Sequence, residues 1–328
     1  VATDRALDLQ RVLARAALGR AERGLPSPHT DVYRLLNGAA DGVPEITVDV
    51  YGRFLVVSEL SERLEAELEQ SLSALLTLGF DGVYLKRRPR QANVLSEAER
   101  RARTPAHAVL GVDAPEDLVV HESGMPFLVR LGDGLSTGLF LDQRDNRARL
   151  RDLSKGKRVL NLFAYTCAFG SAAAQGGALS TTNIDVSKAV LERGQRNYQA
   201  AGVFGPAHTF LARDVLESLP KLQRRGERFD CIVLDPPSFA STKHGRFNVE
   251  RDYAELASQA LLLLADGGML LACTNLHSLP VSSFERMLRT ASTRAKRAVE
   301  IALVAPPSDF PTPLGGDPHL KSAWLTLR

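Results

Sequence analysis

Three aspartates each close a run of strand-forming residues. Asp185 follows "ALSTTNI", Asp214 follows "AHTFLAR", and Asp235 follows "FDCIVL". A carboxylate at the end of one strand is placed to accept from both hydroxyls of a ribose, and one after the next strand can accept from an adenine amino group. Asp185 and Asp214 together therefore suit an adenosine-containing ligand. Asp235 is followed at once by Pro236, Pro237, Ser238 and Phe239. The prolines stiffen the turn. The Asp235 carboxylate and a carbonyl near Pro236 can accept from an amino group and fix its lone pair, while Phe239 can stack on an unpaired or flipped base. The turn reads as a clamp for a base, with a core aromatic under the loop as the competing reading of Phe239.

The loop after the first strand of this series, "FAYTCAFG", carries only Gly170. The GxGxxG pattern that seats a pyrophosphate on a helix N-terminus is missing. S-adenosylmethionine has no phosphate to cradle and fits better than a dinucleotide. The three cysteines, Cys167, Cys231 and Cys273, form no CxxC pair, and the seven histidines are scattered. No metal site is expected, and a reducing cytoplasm is. Cys231 reads as core and Cys167 as packing in the loop. Cys273, at the end of a fifth strand, reads either as a small buried hydrophobe or as a thiol nucleophile.

The elements that must position these groups alternate. Strands at 158–163, 178–185, 207–214, 229–235 and 269–275 are separated by helical patterns, including one over "YAELASQALLLLADGG". The alternation predicts an α/β fold, a mostly parallel doubly wound Rossmann-like sheet whose ligand edge is the carboxyl ends of its strands. The tail "EIALVAPPSDFPTPLGGDPHLKSAWLTLR" predicts two further strands around a Pro/Gly-rich loop, the last antiparallel. Ahead of this lie an amphipathic helix over 4–23, two strands joined at Tyr51–Gly52, a helix over 60–78, a strand running into the basic end "LKRRPR", and a hairpin around Ser123–Gly124. The turn-rich "VDAPED" sets a boundary near 116. It divides an N-terminal α+β domain (1–116) from a catalytic domain (117–328) that begins with the hairpin.

The 328 residues are 44% hydrophobic and 24% charged, ordinary for a soluble protein, and no apolar run is long enough to span a membrane. Net charge is +3, from −2 over 1–116 (15 basic, 17 acidic) and +5 over the rest (26 basic, 21 acidic). Lys86, Arg87, Arg88 and Arg90 form a basic cluster suited to phosphate oxygens, as do Arg100, Arg101 and Arg103, and Arg294, Lys296 and Arg297. Solvated surface is the competing reading for each.

Five segments carry a resemblance: "STGLFLDQRDNRARL", "NLFAYTCAFGSAAAQGGA", "NIDVSKAVLERGQRNYQAAG", "LDPPSF" and "DFP…HLKSAWL". With "YRLLNGAADGVPEITVDVYGRFLVV" they are similar to the bacterial 23S ribosomal RNA methyltransferases of the RlmI/RlmK type, from about residue 31 to the C-terminus. The resemblance implies a class I S-adenosylmethionine-dependent methyltransferase, an RNA partner, and a small N-terminal domain that helps hold RNA. It also implies that Thr137, Gly138, Phe140, Gln143 and Arg144 line the methionine end of the cofactor and that Phe163 and Ala164 pass beside it. Asp185 would take the ribose, Asp214 the adenine, and Asp235 would face the transfer point. The PUA domain with which the cytosine-C5 branch begins is not expected here, and the chain departs from the family in having Cys167–Ala168 where Gly-Gly is usual and Ser136 where Lys is common. It also has Asn275 where the cytosine-C5 branch carries a cysteine.

Cytosine C5 is a poor nucleophile until a thiolate adds to C6, whereas a base nitrogen needs no covalent help. Asn275 can hydrogen-bond a purine edge. The leading expectation is purine N-methylation by Asp235, Pro236, Pro237, Phe239 and Asn275. The alternatives are cytosine-C5 methylation through Cys273, a protein or small-molecule methyltransferase, and a non-catalytic RNA-binding module.

Overall fold

The computed structural model describes residues 2–59, 76, 79–87, 103–242 and 245–328. The chain divides into two units, Val1–Arg144 with Pro307–Leu314, and Asp145–Pro306 with Gly315–Arg328. The hairpin read from sequence as opening the second domain thus falls in the first unit. The predicted helix over 60–78 falls almost wholly outside the described residues.

In the first unit, helix α1 (Ala2–Ala21) precedes a five-stranded sheet of β1 (Val32–Asn37), β2 (Ile46–Tyr51), β3 (Phe54–Glu59), β4 (Gly82–Arg87) and β5 (Leu110–Gly111), in that spatial order. The β3–β4 pair is parallel and the others antiparallel. Leu13 and Ala16 of the helix join Leu35, Val48, Val50, Leu55, Val57 and Val83 in one core. Strands β6 (Leu118–Glu122) and β7 (Met125–Val129) form the expected hairpin. Ser123 and Gly124 both have positive φ, 52° and 79°, as a tight primed turn requires. The returning segment 307–314 is tied in by Asp309, which is fully buried. Its carboxylate accepts from both terminal nitrogens of Arg144, at 2.9 and 2.5 Å, and from the Arg34 backbone N–H at 2.9 Å. The Arg34 guanidinium lies 4.5 Å over the Phe310 ring and pairs with Asp49. The "DFP" motif is therefore a structural anchor of this unit.

The second unit contains helix α2 (Arg144–Leu153, from Asp145 onward), β8 (Arg158–Leu162), α3 (Ala168–Gln175), β9 (Ser180–Asp185) and α4 (Lys188–Ala200). These are followed by β10 (His208–Ala212), α5 (Val215–Arg224), β11 (Phe229–Leu234), β12 (Phe239–Thr242), β13 (Gly245–Asn248) and α6 (Val249–Leu261). β14 (Leu264–Thr274), α7 (Val281–Ala295), β15 (Val299–Val304) and β16 (Lys321–Leu327) complete it. The main sheet runs β10-β9-β8-β11-β14-β16-β15. Its first five strands are parallel, and the last strand, β16, runs antiparallel to both neighbours, as expected. Parallel strands covered on both faces read as unbroken apolar runs. Cys231 through Leu234 are all fully buried, with one core beneath Ile232 and Leu234 and another beneath Cys231 and Val233. Burying a leucine or isoleucine fully contributes about 2 kcal/mol, so a charge anywhere in this run breaks the sheet.

One expectation changes, and one pair of strands is additional to those read from sequence. The helix read through "LLLLADGG" ends at Leu261, and β14 already starts at Leu264, where it pairs with Phe229. An apolar Leu261–Leu264 run fits either element, and pairing with β11 decides it. The small antiparallel pair β12–β13 follows the Asp-Pro-Pro turn directly. No described helix is long and apolar enough to cross a membrane.

Candidate active site

The strand order reverses between β8 and β11: the chain steps outward to β9 and β10 on one side, then returns to β11 on the other. Ligands bind such sheets beyond the carboxyl ends of the strands at that reversal. The loop after β8, the ends of β9 and β10 and the turn after β11 all lie on that edge of the second unit.

The loop after β8 is strained. Phe163, Tyr165 and Cys167 have φ of 57°, 47° and 56°, three non-glycine residues in the left-handed region within five positions. Each costs of order 1 kcal/mol, and such clusters persist only where surrounding bonds over-determine them. Here the Ala164 N–H donates to Ile184 O at 3.0 Å and the Cys167 N–H to Ala164 O at 2.7 Å. The Tyr165 N–H donates to Asp185 Oδ2 at 2.9 Å. The φ at Cys167 explains why glycine is the easier residue there.

Asp185 ends β9. Its second oxygen, Oδ1, accepts from the Ser187 N–H at 2.9 Å. Each carboxylate oxygen thus takes one backbone donor, which fixes the plane of the group and leaves one acceptor direction per oxygen. Next to it Val186 stands 71% exposed. Sequence reasoning passed over this valine; its signal was an apolar side chain directly after a strand-ending carboxylate. Asp214 caps α5, its Oδ1 accepting from the Leu216 N–H at 2.8 Å. Its Oδ2 has no partner among the described residues. Phe163 packs partly against the main core, and Ala164 is buried.

Beneath this edge lies a buried polar network that sequence reasoning missed. Asn161 Nδ2 donates to Asn183 Oδ1 at 3.0 Å, Asn183 Nδ2 donates to the Tyr198 hydroxyl at 3.0 Å, and that hydroxyl lies 2.7 Å from Thr181 Oγ1. Burial pushes the Tyr198 phenol well up, so it stays neutral. Gly170, in α3, packs directly on the network: a Cβ there would stand 2.1 Å from Asn183 Oδ1 and 2.4 Å from the Tyr198 hydroxyl. Its glycine is a requirement of close approach.

The turn after β11 places Asp235 half-buried, Pro236 buried, Pro237 exposed and Phe239 55% exposed. That exposure sets aside the reading of Phe239 as a core aromatic. Ser238 Oγ donates to Asn275 Oδ1 at 2.8 Å, joining this turn to the end of β14. Asp235, Pro236, Pro237, Phe239 and Asn275 therefore belong to the end of one adjacent strand pair, β11–β14.

The cysteines are core groups. Cys273 is fully buried among Leu271, Leu320, Trp324 and Phe169, which does not suit a thiolate nucleophile. Burial lifts the Cys231 thiol to about 11, and burial together with nearby Asp185 pushes Cys167 well up.

The residues expected at the methionine end lie in the first unit. Thr137 and Gln143 are buried, Gly138 has φ 106°, Phe140 is exposed, and Arg144 is engaged by Asp309. Thr137 Oγ1 lies 3.0 Å from the Tyr51 hydroxyl. The basic cluster needs correction at Lys86. That side chain is fully buried, with its ammonium donating to Gly134 O, and it is not displayed to a phosphate. Arg87 pairs with the buried Glu59 at 3.3 Å. Arg88 and Arg90 lie outside the described residues, as do Arg100 and Arg101. Arg294 pairs with Glu255, and Arg297 reaches Leu264 O and Asp266.

The second unit is thus a seven-stranded doubly wound α/β sheet with an antiparallel last strand and a fixed carboxylate, Asp185, at the carboxyl edge where such sheets bind ligands. The chain belongs to the S-adenosylmethionine-dependent methyltransferase family, whose model matches residues 37–316. It is similar to the Bacillus subtilis protein YwbD, at 33% identity covering 92% of this chain and 75% of that one. It is also similar to ribosomal RNA large subunit methyltransferase I of Aeromonas salmonicida, at 34% identity covering 85% and 70%. Among solved structures, SMU.776 complexed with SAH matches with a TM-score of 0.88 at 29% identity, over 98% of this chain and 81% of that one. The protein is an S-adenosylmethionine-dependent methyltransferase.

Proposed function

We propose that this enzyme methylates a base of large-subunit ribosomal RNA and that the acceptor is a purine nitrogen. The RNA substrate follows from relatives named for that activity, at about a third identity over most of the chain. The observation that carries the choice of atom is the turn after β11. There Asp235 precedes two prolines and an exposed Phe239, while the neighbouring strand end offers the exposed Asn275 and keeps its one thiol, Cys273, fully buried.

The edge residues of the second unit fit the cofactor. Asp185, held by two backbone N–H groups, would accept from the ribose hydroxyls, Val186 would cover one face of the adenine, and Asp214 would accept from its amino group. Bound S-adenosylmethionine supplies an electrophilic methyl group on a sulfonium. The protein's own task is then to hold a nucleophile in line with it. Asp235 accepts from the base's amino group, Phe239 stacks on its face, and the prolines keep both from moving. Base–aromatic stacking is worth about 1–3 kcal/mol. Cytosine-C5 chemistry needs a thiolate, and the burial of Cys273 disfavours that route. The first unit is proposed to help hold RNA, with Arg88 and Arg90 as contacts.

The test is Asp235→Ala. Methyl transfer to rRNA should fall below 1% of the unsubstituted enzyme (~100-fold or more), while calorimetric affinity for S-adenosylhomocysteine stays within about threefold, under 1 kcal/mol. Full transfer in this variant would overturn the clamp.

A further inference from the structure

The segment that follows β14 is pinned from three sides. The buried Tyr253 hydroxyl donates to Cys273 O at 2.9 Å, and burial, with smaller contributions from nearby Cys273 and Asp235, pushes that phenol well up, so it remains a donor. The Leu276 N–H donates to Thr274 Oγ1 at 3.3 Å. The buried Lys321 ammonium donates to Leu276 O at 2.9 Å and to His319 O at 3.3 Å. Cys273, Thr274 and Leu276 are buried, and Asn275 alone between them is exposed. A side chain held out from so fixed a backbone has one degree of freedom that matters, the rotation of its amide.

Ser238 engages one end of that amide. Its hydroxyl donates to Asn275 Oδ1 at 2.8 Å, so the oxygen is engaged on the side of the Asp-Pro-Pro turn. The amide nitrogen, with two N–H donors, has no partner among the described residues. We infer that Ser238 is a positioning residue that sets the polarity of Asn275, so that Asn275 presents a hydrogen-bond donor to the target base and reads an acceptor on it. This rests on the proposed base-methylating function and extends it. Asp235 is an acceptor and Asn275 a donor, one at the end of each of two adjacent strands. The pair complements a base edge on which an exocyclic amino group and a ring-nitrogen acceptor lie side by side. A base that offers only donors at the Asn275 position is rejected, because donor would meet donor.

The experiment measures methyl transfer to undermethylated rRNA, together with S-adenosylhomocysteine affinity, for four variants. Asn275→Ala removes the donor. Asn275→Asp keeps an oxygen for Ser238 but turns an acceptor toward the base. The inference predicts that Asn275→Asp is at least tenfold slower in kcat/KM than Asn275→Ala (~1.4 kcal/mol). Asn275→Asp equal to or faster than Asn275→Ala would overturn it. Ser238→Ala should lower kcat/KM for RNA about fivefold to twentyfold ( with), and Ser238→Thr, which restores the hydroxyl, should recover it. Equal losses in both Ser238 variants, or a parallel loss of cofactor affinity, would show a merely structural role and overturn the inference. The underlying functional reading fails separately, if the unsubstituted enzyme labels a pyrimidine carbon; the order of the two Asn275 variants still decides the polarity on that base. No label in any RNA overturns both.

Discussion

Replacing Asp185 by alanine removes four acceptor directions at once. Two are filled by the Tyr165 and Ser187 N–H groups, at 2.9 Å each, and two are assigned to the ribose hydroxyls. A hydrogen bond to a charged group is worth about 1.5–3 kcal/mol. Loss of the two ribose contacts therefore costs about 3 kcal/mol of cofactor affinity, a factor of roughly 150 in Kd. The Tyr165 N–H also loses its partner in a loop already carrying three positive φ values. Relaxation of that loop weakens binding further and lowers the stability of the cofactor-free protein by about 1–2 kcal/mol. Asp185→Asn is the sharper variant. Its side chain keeps one acceptor, so either the Tyr165 or the Ser187 N–H then faces an amide NH2. It should lose at least tenfold in affinity (~1.4 kcal/mol) with a smaller stability change than alanine. Titration calorimetry with S-adenosylhomocysteine, paired with thermal melts of the cofactor-free proteins, separates the two effects. Affinity within threefold of the unsubstituted protein, for a variant that melts normally, would refute the ribose assignment.

Three other outcomes are expected. Gly170→Ala gains about 1 kcal/mol of helix propensity but drives a methyl against Asn183 and Tyr198. Overpacking of that kind costs about 1–3 kcal/mol, so the melting temperature should fall by several degrees; an unchanged melt would mean that α3 shifts freely. Cys273→Ala should retain transfer per folded molecule while losing about 1–2 kcal/mol of stability as a small core truncation; loss of transfer at normal stability would revive the thiol route. Burial lowers the proton affinity of His208, whose Nδ1 lies 3.0 Å from Thr181 Oγ1, below the ordinary value of 6.5. The unfolded chain therefore takes up the proton first as pH falls. The stability that neutral His208 contributes is complete above about 6.5 and is lost as pH drops through the depressed folded value. Urea midpoints between about pH 7.5 and 5 should fall less steeply in His208→Gln, and parallel curves would contradict this.

The parallel sheet was legible because its strands are buried on both faces, so the apolar runs at 158–162 and 229–234 need no long-range information. Asp185 and Asp235 were legible for the same reason: a carboxylate ending such a run marks the sheet edge. β1 was not, because "VYRLLN" carries Arg34, whose charge is neutralised by Asp49 on the next strand. The role of Asp309 was hidden because its partners, Arg144 and Arg34, are 165 and 275 residues away in the chain. Lys86 misled because one residue in a basic run says nothing about which face of a strand it occupies. The Asn161–Asn183–Tyr198 network and the Ser238–Asn275 bond depend on the register between strands, which local patterns do not carry.

The central claim is that the turn at Asp235 holds a purine nitrogen for direct methyl transfer. Its most direct test incubates the enzyme with methyl-labelled S-adenosylmethionine and rRNA lacking its own methylations, then identifies the labelled nucleoside by mass spectrometry after complete digestion. The account predicts a methylguanosine or methyladenosine labelled on nitrogen; 5-methylcytidine would contradict it.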